Sequence, residues 1–158
     1  MKQLIFLALF LLVSTFTFAQ KDASDKADEE AIKTVIKKLF DAYRAQDTSV
    51  MSALFHPDAT MGSTGMDKEG KPVYRKGDVK GFLNFAGTKN GNYYDERIYS
   101  YDVTVDGQLA TAWTEYSFFL NKNFSHCGYN MFTMFKSADG WKIINITDTR
   151  RKEGCKTE

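Results

Sequence analysis

Seven polar side chains in this sequence are of types that do chemistry, and their spacing decides which could act together. Glu115 lies within TAWTEYSFF, a run whose alternation reads as an extended strand. There Trp113, Glu115 and Ser117 share one face, and Thr114, Tyr116 and Phe118 share the other. A carboxylate held against Trp113 in an apolar hollow would have a raised pKa and suit general acid or base work. On the opposite face it would be a cross-strand ion-pairing residue. Asp148 and Arg150 sit two apart near the end of the last extended run. They share a face and can pair, and the planar Arg150 fork could hold a ligand carboxylate. His126 precedes Cys127 at the start of another run and could donate a hydrogen bond into a pocket. His56 and Asp58 flank Pro57. They read either as a base and its orienter or as the end of a helix followed by a turn. Tyr43 lies on an apolar helical stripe and could present its hydroxyl to a ligand. Glu115, Asp148 and His126 are therefore the candidate catalytic residues. No metal-ligand spacing, nucleophile triad or phosphate loop is visible, so neither a metal nor a cofactor is expected.

These residues must be positioned by a sheet. From Tyr93 to Arg151 apolar and polar residues alternate, with interruptions at Asp106-Gly107 and Asp139-Gly140. Both dipeptides mark hairpin turns, which predicts four long antiparallel strands. Tyr99, Tyr101, Val103 and Val105 fall on one side of the first. Such a sheet twists and needs one face covered.

The cover precedes it. Ile32, Val35, Ile36, Leu39, Phe40 and Tyr43 form one stripe at helical spacing. A shorter helix follows, capped by Thr48, with Val50, Met51, Leu54 and Phe55 inward; Pro57 stops it. Ala59–Met61 begins a short strand. Residues 62–74 hold three glycines and Pro72, which predicts a loop or irregular hairpin. Val79, Phe82, Leu83 and Phe85 indicate a third helix. Helices followed by strands imply an α+β fold, with helices on one face of a curved sheet. The hollow left beyond the helix end is the expected pocket.

The chain has 158 residues, a formal net charge of +1 and 15% aromatic residues. No basic stripe points to nucleic acid. The aromatic excess suits a lined cavity for a small apolar or aromatic ligand. Its expected wall is Phe40, Tyr43, Trp113, Tyr116, Phe118, Tyr129 and Phe132, with Arg150. Met1-Lys2, the apolar run Leu4–Phe18 and Thr17-Phe18-Ala19 read as a secretory signal peptide over residues 1–19. The chain is therefore expected to be exported, periplasmic or secreted, with no membrane contact after cleavage. Residues 20–28 read as a disordered lead-in, 29–152 as one domain and 153–158 as a tail. Cys127 and Cys155 could form a disulfide pinning the C-terminus to the sheet, or remain two free thiols.

The helix AIKTVIKKLFDAYRAQD, the junction TSVMSALFHPDAT and the finish GYNMFTMFKSADGWKIINITDTRR resemble the nuclear transport factor 2-like superfamily. That group includes SnoaL-like polyketide cyclases and ketosteroid isomerases. The chain is most similar to its small exported bacterial members, lumazine-binding-like proteins among them. The resemblance implies a cystatin-like α+β cone, its curved mixed or antiparallel sheet wrapped around a long N-terminal helix. It implies a pocket and a homodimer packed sheet to sheet. The superfamily includes isomerases, dehydratases and cyclases as well as non-catalytic binders, so its fold settles no activity. The ketosteroid isomerase pattern of acid and base is not matched here.

Overall fold

The computed structural model describes residues 2–158, with side chains from Ser24 onward. The expected signal segment 1–19 lies outside the residues whose side chains are described. Among the described residues no helix is long and apolar enough to cross a membrane.

Helix α1 (Lys2–Ala45) carries the expected stripe. Ile32, Ile36, Leu39, Phe40 and Tyr43 are all buried in one core. Of the expected lead-in 20–28, residues 24–28 have described side chains and lie in this helix, and Asp28 anchors it. Its carboxylate accepts the Trp141 indole N–H at 3.0 Å and the Lys136 ammonium at 2.7 Å. Helix α2 (Thr48–Leu54) is capped by Asp47 rather than Thr48, its Oδ1 accepting from the Val50 amide at 3.1 Å. A carboxylate there serves both the cap and the helix dipole. Asp78 caps α3 (Val79–Gly87) in the same way through the Gly81 amide.

Seven strands form one sheet: β1 (Phe55–Met66), β2 (Pro72–Asp78), β3 (Tyr94–Ile98), β4 (Asp102–Asp106), β5 (Leu109–Leu120), β6 (Asn123–Ser137) and β7 (Gly140–Thr149). The order is β2-β1-β7-β6-β5-β3, with β4 also on β5. The sheet is mixed, because β1 runs parallel to β7. Of the two readings left open for residues 62–74 the hairpin holds: they form most of the β1–β2 hairpin, closed by Asp67, whose Oδ1 accepts from the amides of Glu69 and Lys71. One expectation is corrected: the first of the four expected strands is two. At Tyr99–Tyr101 the chain leaves the ladder, and Ser100 Oγ takes the Glu115 amide hydrogen instead. Pro57 falls inside β1, where the register with β7 shifts between Phe55 and Thr60. Proline has no amide hydrogen for the ladder, and an irregular strand start accommodates that.

The two faces of the sheet differ. Ala110, Ala112, Thr114 and Tyr116 of β5 and Phe132 and Met134 of β6 are buried, on the face that α1 covers. The intervening residues form the other, convex face. Cys127 and Arg151 pair across β6, and Cys127 is disulfide-bonded to Cys155. The bond draws the tail onto the convex face. There the Lys156 carbonyl accepts the buried Ser117 hydroxyl at 2.6 Å.

Candidate functional site

The covered face of the sheet is organised in rows that run across its strands. Register places Gly77, Met61, Ile146, Phe132 and Ala112 side by side on β2, β1, β7, β6 and β5. This row is apolar. One step along each strand pair lies a polar row: Arg75, Ser63, Asp148, Asn130 and Thr114. Asn130, Asp148 and Thr114 are each less than a tenth exposed. Where α1, α3 and β3 stand off from these rows there is a cavity of about 510 Å³. Its apolar wall is Leu39, Phe40, Met61, Phe82 and Ile146. Its polar groups include Ser63, Glu96, Asn130, Asp148 and Arg150, with Arg75 and Lys76 from β2.

Glu96 is the most perturbed acid in the site. The period of two on β3 puts it between Tyr94 and Ile98, pointing toward α1. Burial pushes its carboxyl up to about 7, and the Asp148 charge adds to the shift. The Asn130 amide, donating to Oε1 at 2.8 Å, pulls the other way, as do Arg150 and Arg44. Glu96 and Phe40 also line a second cavity of about 330 Å³ with Lys37, Arg44, Arg97 and Tyr101. The Glu96 carboxyl therefore stands between two hollows.

Asp148 is held from two sides. Oδ2 accepts the Tyr116 hydroxyl at 3.1 Å and the Arg150 Nε–H at 2.8 Å. Tyr116 also donates to the Thr149 carbonyl. Burial, then the charges of Glu96 and Asp148, hold the Tyr116 phenol far above its ordinary range. Tyr116 is thus a fixed donor.

The sequence candidates divide three ways. Asp148, Arg150 and Phe40 line the cavity. Tyr116 meets it through Asp148. Tyr43, Phe118 and Phe132 form the layer behind the wall: Tyr43 lies parallel to Tyr94 at 5.6 Å and near Phe118 at 6.3 Å, and Phe132 meets Phe40 edge-on. His126 is packed in that layer too, against Phe118 at 5.1 Å and Tyr116 at 5.8 Å. Burial there, with Arg150 nearby, lowers its pKa to about 4, so it is a neutral ring at neutral pH.

The third group is on the wrong face for the role expected of it. Glu115 points outward and pairs with Lys156 at 2.6 Å. Trp113 is 43% exposed and stacks on Tyr129 at 5.1 Å, and Arg151 lies over Tyr129. Alternation on β5 decides this. Thr114 and Tyr116 take the covered face, so Trp113 and Glu115 cannot. His56 and Asp58 are outside the cavity as well. His56 Nδ1 accepts the Asp58 amide hydrogen, and its ring meets Phe135 edge-on.

Glu96, Asn130, Ser63 and Arg75 are the site residues that sequence reasoning missed. A signal for Glu96 exists: it is the acid in an alternation of Tyr94 and Ile98. Asn130 likewise lies two residues before the buried Phe132.

Residues 27–147 match the family described as "Putative lumazine-binding". No curated protein matches the chain in sequence. Several solved structures share its fold. A nuclear transport factor 2-like protein of unknown function from Shewanella baltica has 17% identity and a TM-score of 0.55, over 78% of this chain and 94% of that one. One with a cystatin-like fold from Novosphingobium aromaticivorans has 15% identity and a TM-score of 0.61, over 90% and 89%. One of unknown function from Pseudomonas putida has 16% identity and a TM-score of 0.61, over 78% and 87%. At such identities the likeness is one of fold. With its long helix, its curved mixed sheet and the match across residues 27–147, the chain belongs to this lumazine-binding family of the nuclear transport factor 2-like superfamily.

Proposed function

We propose that this chain is an exported protein that binds a small, largely apolar or aromatic molecule in its cone. The observation that carries the reading is the cavity of about 510 Å³, apolar on its helical side and polar on one sheet row. Its size and mixed lining are those of small-molecule sites. Ser63 Oγ, buried and without a hydrogen-bond partner among the described residues, is a group a ligand would satisfy. A thermal-shift screen with a library of aromatic and alicyclic compounds tests this. A binder present at a hundred times its Kd stabilises the fold by about 2.7 kcal/mol. A flat response across the library would sink the proposal.

Export rests on the N-terminal segment and fits the disulfide. Intact-mass measurement of the protein from an exporting host is expected to give an N-terminus at Gln20. The convex face, where Trp113, Leu109 and Phe135 are exposed, is the surface on which a homodimer would pack. Light scattering that gives a monomer at high concentration would remove that part.

Glu96 favours a second reading, proton-transfer catalysis. A carboxyl with a pKa of about 7 in a sheltered cavity can take a proton from a carbon acid and return it. Isomerisation or dehydration would follow from that step. Exchange of the α-hydrogens of a bound cyclic ketone in D2O, lost in Glu96→Gln, is the expected signature. Binding without exchange leaves the receptor reading alone.

A further inference from the structure

The mouth of the cavity differs chemically from its floor. Arg75 and Lys76 of β2 and Arg150, just past the end of β7, ring the outer part. Among the described residues neither Arg75 nor Lys76 has an ion-pair partner. Among the described residues Arg150 spends only its Nε–H, on Asp148, which leaves the outer edge of its guanidinium without a partner there. The acids of the cavity are differently placed. Asp148 already receives Tyr116 and Arg150 on one oxygen, and Glu96 lies on β3 against Asn130. Asp78 is turned back onto α3 as its cap, so the amides at that helix start are taken.

Gly65 opens a notch between the two arginines. A Cβ built there would lie 3.4 Å from the Arg150 carbonyl oxygen and 3.9 Å from both Arg150 Cβ and Arg75 Nη1. The unpartnered Ser63 hydroxyl belongs to the same corner, opposite Arg75 on one side and Asp148 on the other. The Arg150 carbonyl takes the base of the notch, so the donors offered to a planar oxyanion are the guanidinium edges of Arg75 and Arg150 and the Ser63 hydroxyl at the cavity lining.

We propose that this corner is a carboxylate-binding subsite. The ligand is then an aromatic or alicyclic carboxylic acid, its ring inward against Leu39, Phe40, Phe82 and Ile146. Its carboxylate lies outward between Arg75 and Arg150 and accepts from Ser63. The inference rests on the pocket reading above and adds the direction and charge of the ligand.

The test compares 2-naphthoate with 2-naphthamide, the same ring with and without the charge. Calorimetric binding to the wild-type protein is expected to favour the acid by about tenfold or more, the scale of a charge-assisted contact. That preference should shrink as salt is added. Arg75→Gln and Gly65→Val should each weaken the acid several-fold more than the amide and so bring the two compounds toward equal affinity. Arg75 is exposed on β2, so its variant keeps the core. Equal affinity of the two probes for the wild type, or equal loss of both in Arg75→Gln, overturns the subsite while amide binding upholds the pocket. If neither probe binds, the subsite and the pocket reading for ligands of this size are both overturned.

Discussion

The Asn130 amide reaches Glu96 Oε1 at 2.8 Å, joining β6 to β3, two strands that β5 keeps apart. The bond lies on the covered face and favours the charged carboxylate against the burial that opposes it. Asn130→Ala is therefore expected to raise the Glu96 pKa above about 7. Carbon-detected NMR titration of the glutamate carboxyls reads this directly. An unchanged or lower value would contradict the assigned contact.

Glu96 also gives stability a pH dependence of defined sign. Its folded pKa of about 7 exceeds the ordinary value of 4.5. Between these pH values the folded state holds the proton more tightly than the unfolded chain, so Glu96 costs stability as pH rises through that window. Glu96→Gln removes the cost. Its Tm relative to wild type should climb from pH 4 to pH 8 and level off above about 7. A Tm difference independent of pH would mean the carboxyl is not sheltered.

His126 acts in the opposite direction. Its folded pKa of about 4 lies below the ordinary 6.5, so stability is lost as pH falls through that interval. His126→Phe, which keeps a ring between Tyr116 and Phe118, should flatten the acid limb of the stability curve. Urea midpoints at pH 7 and pH 4.5 give the comparison. A wild-type limb as flat as the variant's would refute it.

The disulfide and the cavity should be energetically separable. Cys127→Ser with Cys155→Ser frees the tail and is expected to cost about 2–4 kcal/mol by urea denaturation. Ligand affinity should hold, because the tail lies on the convex face. The same separation applies to the aromatics. Trp113→Ala should leave binding intact, whereas Phe40→Ala, in the cavity wall, should weaken it.

Asp28→Ala should lower stability by about 1–3 kcal/mol, because the Trp141 indole N–H would be left buried without an acceptor. Its urea midpoint relative to wild type measures this. A chain starting after Asp28 should lose a similar amount.

The helix stripe, the hairpin turns and the closing strand were legible because each rests on local periodicity. The spacing of Ile32 to Tyr43 fixes which side of α1 is buried whatever it packs against. Alternation, however, says only that Glu115 and Tyr116 lie on opposite faces. It does not say which face is covered, so the expected wall mixed the two faces, Trp113 and Tyr129 of one with Tyr116 and Phe132 of the other, and Glu115 stayed a candidate. The polar row was hidden for another reason. Its members come from five strands, brought level by registers that no single stretch of sequence contains. The glycines of the β1–β2 hairpin left it readable as either loop or hairpin, although Asp67 closes it with ordinary turn chemistry.

Since the hydrophilic row takes a single residue from every strand it crosses, its chemistry is divided into independent positions. A substitution at Ser63, Asn130 or Arg75 exchanges one polar group of the cavity and leaves the neighbouring apolar row, and with it most of the folding core, in place. If the cone binds as proposed, its specificity could therefore be changed one strand at a time without rebuilding the fold.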